Sequence, residues 1–62
     1  MNDAKAREAI SEAKRFIKAA EAYRRAEAEK VEPWHTTPKE SGAVRRASMD
    51  LTRALAEMRK PG

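Results

Sequence analysis

The sequence predicts an all-α fold, a two-helix antiparallel hairpin with helices over about 4–31 and 38–59 that self-associates into a helical bundle. Three observations predict it. Ala, Glu, Lys and Arg, all strong helix formers, dominate the chain, whereas β-branched and aromatic residues are few. Two stretches repeat apolar residues at alternating spacings of three and four, the signature of one helix face. Between them, Glu32-Pro33-Trp34-His35-Thr36-Thr37-Pro38-Lys39-Glu40 stops one helix and starts another.

In the first helix the repeating positions are Ala6, Ala9, Ile10, Ala13, Phe16, Ile17, Ala20 and Tyr23. Asn2 or Asp3 is placed to cap its start, with acidic groups near the positive end of the helix dipole. At 100° per residue these side chains cover roughly 140° of the circumference, wider than the seam of a two-stranded coiled coil. Phe16 and Tyr23 lie on one flank and Ile10 and Ile17 on the other, a layout suited to two neighbouring helices. The stripe breaks at Arg24 and Glu27, where the spacing asks for apolar residues, and such inconsistencies concentrate at functional or assembly sites.

Pro33 keeps Glu32 out of the α region and ends the first helix. Thr37-Pro38-Lys39-Glu40 reads as a capping box with Pro at the favoured first helical position. The second helix carries Val44, Ser48, Leu51, Leu55 and Met58 as its inward stripe, flanked by Ala47 and Ala54, and Pro61-Gly62 ends it. Gly42 costs about 1 kcal/mol against Ala in a helix interior unless it admits another backbone. Antiparallel pairing sets Phe16 and Ile17 near Leu51 and Leu55, and Ala20 and Tyr23 near Val44 and Ser48.

The 62 residues form one helical-hairpin domain, 1–62, and chains this short seldom bury enough apolar area to stand alone. With no cysteine and one histidine, neither a disulfide nor a metal site is expected to staple it. Self-association, most simply as a dimer closing a four-helix bundle, is the remaining stabiliser. Ile10, Phe16, Ile17, Tyr23, Met49, Leu51, Leu55 and Met58 are the expected interface, Met49 projecting away from the seam.

Charged residues make up 39% of the chain and the net charge is +4, which favours acidic partners. Arg24 and Arg25 lie about as far from the turn as Arg45 and Arg46. Together with Trp34 and His35 they are the candidate ligand-binding cluster, guanidinium groups for phosphate and an indole for stacking on a base. The competing reading pairs Arg25 with Glu21 or Glu29, Arg46 with Asp50 and Arg24 with Glu27. Trp34 is also suited to folding back over the open end of the hairpin as an apolar plug. His35 has no nucleophile or paired carboxylate to serve and reads as a solvated turn histidine. Arg45-Arg46-Ala47-Ser48 fits a basophilic kinase pattern, but the inward stripe claims Ser48.

The outline resembles the plasmid-encoded Rop-type RNA-binding hairpins, and Arg15-Phe16-Ile17-Lys18 is similar to a tetrapeptide of that family's first helix. The resemblance implies an RNA contact for Phe16, although in the same register Lys14, Glu21 and Arg24 occupy core positions. Residues 40–58 are similar in spacing to the hairpin of phage proteins that sequester cyclic nucleotides. Neither resemblance assigns the chain to a family.

The expected protein is therefore non-enzymatic, without cofactor, metal or membrane span, and cytoplasmic. It binds an acidic partner, nucleic acid or a nucleotide, through its basic end cluster. The alternative is a phage- or plasmid-type interaction module whose apolar stripe docks on and modulates a host protein. A basic amphipathic helix at an anionic membrane is a third reading, opposed by the small size of the apolar side chains.

Overall fold

A computed structural model describes residues 2–32, 34 and 36–60, and these form two helices, α1 (Asp3–Glu29) and α2 (Pro38–Arg59), packed antiparallel. The hairpin is 51 Å long and only 13 by 11 Å across, so no layer covers either helix on its outer side. Among the described residues there is no strand, and no helix is long and apolar enough to cross a membrane.

Asn2 caps α1 as its residue type predicts, its Oδ1 accepting from the Lys5 amide at 2.9 Å. The helix ends at Glu29, two residues short of the expected boundary, and the chain turns extended at Lys30 (φ −70°, ψ 138°). Lys30 follows at the inward position, where its ammonium pairs with Glu27 at 2.8 Å. The expectations for Pro33, His35 and Pro61-Gly62 fall outside the described residues.

Pro38 opens α2 as its first residue, but the capping box does not form. Thr37 makes no side-chain cap bond to its own helix; its hydroxyl donates to Glu27 Oε1 on α1 at 3.0 Å.

The interior is narrower than the stripes suggest. Among the described residues only Ala9, Ala47 and Ala54 are buried. Each fully buried methyl contributes about 0.8 kcal/mol, so these three supply little beyond close approach of the two backbones. In α1 the positions facing α2 run Lys5, Ala9, Glu12, Phe16, Ala19, Tyr23, Ala26 and Lys30, a four-three repeat of which all but Ala9 are half-buried. Ile10 and Ile17 are 55% and 54% exposed, so the isoleucine flank of the stripe is turned out of the hairpin. In α2 the seam is centred on Ala47 and Ala54, with Val44, Leu51, Leu55 and Met58 half-buried beside them. Ser48, assigned above to the inward stripe, is exposed, one position past the buried Ala47. The alanines decide this rotation, because a small side chain at the seam lets the helices close in and a hydroxyl there gains nothing.

Candidate functional site

Two long sides of the hairpin differ in chemistry. On one, Ala6, Ala9, Ile10 and Ala13 of α1 and Leu55 and Met58 of α2 line an open apolar depression of about 280 Å³. Ile17 extends the line of Ile10 by two helical turns and is as exposed. Toward the turn the apolar character fades, Arg24 following Ile10 and Ile17 at the next seven-residue step. On the opposite side Glu8, Glu12, Asp50, Arg53, Ala54 and Glu57 line a polar depression of about 110 Å³. Among the described residues no group of carboxylates and histidines is arranged to hold a metal ion.

The expected interface residues therefore divide among three surfaces. Phe16, Tyr23 and Leu51 are half-buried at or beside the seam within one chain, whereas Ile10, Ile17, Leu55 and Met58 share the apolar side. Met49 is 62% exposed on the outer side of α2, away from that face.

All four arginines of the candidate ligand cluster are exposed. None of the anticipated pairs with Glu21, Glu27, Glu29 or Asp50 is present among the described residues, where the ion pairs are Arg7–Asp3, Arg15–Glu12, Lys30–Glu27 and Lys60–Glu57. Their bearings differ. Helical phase puts Arg24 on the isoleucine line, Arg25 on the back of α1, and Arg45 and Arg46 on the outer half of α2. With Glu27 opposite Thr37, the Arg24-Arg25 and Arg45-Arg46 levels are separated by about 9 Å along the axis at 1.5 Å per residue. The structure thus brings Arg45 and Arg46 together on one surface and sets Arg24 and Arg25 on others. Trp34 is 73% exposed and does not plug the open end. His35 lies outside the described residues.

The break in the α1 stripe has a structural cause. Glu27 is half-buried and ties the end of α1 to the start of α2, accepting from Thr37 and pairing with Lys30. The Lys30 ammonium, then the Thr37 hydroxyl, hold its carboxyl below the usual glutamate range. Glu57 near the other end is likewise held down, first by Lys60 and, more weakly, by the field of Lys5 on α1. Glu27 thereby latches one helix to the start of the other, whereas the bonded partner of Glu57 lies just past its own helix.

The spacing search missed the composition of α2's solvent side. All three carboxylates of α2, Glu40, Asp50 and Glu57, are half-buried along the flank that faces α1. A helical projection of the sequence contains that signal, because positions 40, 50 and 57 fall within a sector of about 100° that also holds Ala47 and Ala54. No family model, curated protein or solved structure matches this chain.

Proposed function

We propose that this is a non-catalytic helical hairpin that pairs with a second copy of itself and, in that form, binds an acidic partner, nucleic acid or a nucleotide, through arginines its own carboxylates leave uncompensated. One observation carries the reading. Among the described residues only three alanines are buried, while Ile10 and Ile17, the two isoleucines, stand more than half exposed on the side that carries Leu55 and Met58. Large apolar groups left outside so small an interior are what a partner removes from water.

A second copy suits that face because large and small residues alternate along it. Ala6, Ile10, Ala13, Ile17 and Ala20 follow a four-three repeat, so the isoleucines of one chain can seat over the alanines of another as knobs over holes. Two hairpins joined this way make a four-helix bundle whose seam is Ile, Leu and Met rather than Ala alone. Native mass spectrometry of Ile10→Lys/Ile17→Lys tests the face directly. The intact protein is expected as a dimer and the variant as a single subunit. A variant that remains dimeric overturns the assignment of the face, and an intact protein that is monomeric favours docking on a different protein instead.

A further inference from the structure

The exposed residues of α2 carry cations and no carboxylate, although Arg53 also lines the depression it shares with Glu8, Glu12, Asp50 and Glu57. Among them stand Lys39, Arg45, Arg46, Arg53 and Arg59, with Lys60 directly after the helix. The exposed half of α1, by contrast, mixes its cations with Asp3, Glu8, Glu21 and Glu29. Segregation, not net charge, distinguishes α2. Lys39, Arg46, Arg53 and Lys60 recur every seven residues and form one row along the helix. Arg45 and Arg59 form a second row on the other side of a low ridge made by Gly42, Met49 and Ala56. Gly42 faces open space, a Cβ at that position meeting nothing within 4 Å. Of the six cations, Lys60 is paired with Glu57, and the guanidinium of Arg59 leans back on the Leu55 carbonyl at 3.3 Å. Lys39, Arg45, Arg46 and Arg53 make no ion pair among the described residues.

We infer that this face takes the phosphodiester backbone of a nucleic acid laid along α2. The inference rests on the acidic-partner reading and moves its site from the turn to the length of one helix. Three features favour a polyphosphate over an acidic protein. Guanidinium groups outnumber ammonium groups four to two, and guanidinium matches phosphate oxygens in pairs. The charges repeat evenly over a helix of 22 residues, about 33 Å, close to one turn of duplex. The ridge between the rows carries only small side chains and one Met, so a regular backbone can approach without meeting bulk. The Lys39, Arg46, Arg53 and Lys60 row lies on the side of α2 away from Leu55 and the isoleucines, so pairing of two hairpins leaves that row open, whereas Arg59 stands beside Leu55.

The test is binding of fluorescein-labelled DNA, as a duplex of about two helical turns and as one of its single strands, followed by anisotropy across a salt series. The probe is added to the intact protein, to Arg53→Gln/Arg59→Gln at the end of α2 remote from the turn, and to Arg24→Gln/Arg25→Gln on α1. Circular dichroism checks that helix content is kept. The inference expects the α2 variant to bind either DNA form at least tenfold more weakly, with the salt slope reduced by about two, while the α1 variant changes less than threefold. The reverse ranking overturns the α2 face and leaves an arginine site near the turn standing. Polyglutamate of similar length binding as tightly as DNA overturns the nucleic-acid assignment while preserving an acidic partner. Failure of the intact protein to bind any of these polyanions removes both readings.

Discussion

The Thr37 hydroxyl donates to Glu27 Oε1 across the mouth of the hairpin, at 3.0 Å. Two sequence features with separate readings, a stripe broken at Glu27 and a cap expected at Thr37, are thereby one contact. The carboxylate sits where an apolar residue is asked for because it closes the turn. The threonine gives its hydroxyl hydrogen to that charged acceptor, and its side chain accepts from no amide of α2.

Acid should open this latch. The Glu27 carboxyl is held below its usual value, first by Lys30 and then by Thr37, so the folded state binds the proton less tightly than the unfolded chain. Its stabilisation is complete above the ordinary glutamate value of about 4.3 and is lost as pH falls through the lower folded value. Thermal melts followed by circular dichroism should show the midpoint falling over that acid range, with Glu27→Gln flattening the dependence there. An unchanged acid slope in Glu27→Gln removes Glu27 as its source.

Thr37→Val removes the donor while keeping the shape, and should lower the melting midpoint at neutral pH; Thr37→Ser should recover most of the loss. If the hydroxyl were only a cap for α2, the Glu27→Gln background would not diminish the effect of Thr37→Val. A double-mutant cycle between the two positions reads the coupling.

Ala54 is 5% exposed at the seam between the two helices. Ala54→Leu should destabilise the fold by about 1–3 kcal/mol through overpacking, whereas Ala56→Leu on the exposed side should change it by less than about 0.5 kcal/mol. Chemical denaturation distinguishes the two. Equal effects would place the seam elsewhere.

Gly42 is exposed within α2, and a methyl group there touches nothing. Gly42→Ala should stabilise the free protein by about 0.5–1 kcal/mol through the unfolded chain, read as a higher denaturation midpoint with the same slope. Destabilisation would mean that another surface closes on Gly42.

Most of the fold was readable because helix ends carry local chemistry. Asn2 and Pro38 mark their starts by residue type alone, and α2 ends at Arg59 as its periodicity requires. What the spacing left open was rotation. A stripe of roughly 140° holds both the Phe16-Tyr23 and the Ile10-Ile17 flanks, and periodicity alone does not say which flank one thin partner helix covers. The same ambiguity put Ser48 inward, where the neighbouring Ala47 is the buried residue. For Trp34 the plug is the reading that fails, since the indole is 73% exposed. The four arginines stand out in the sequence by their similar distance from the turn, but their bearings around the rod emerge only with the seam fixed.

The central claim is that Ile10 and Ile17 are outside because their place is between two chains. Its most direct measurement is the unfolding midpoint of the intact protein over a hundredfold range of concentration, since folding coupled to association is governed by mass action. The account predicts a midpoint that climbs steadily with concentration. A concentration-independent midpoint with cooperative melting of a single subunit would contradict it.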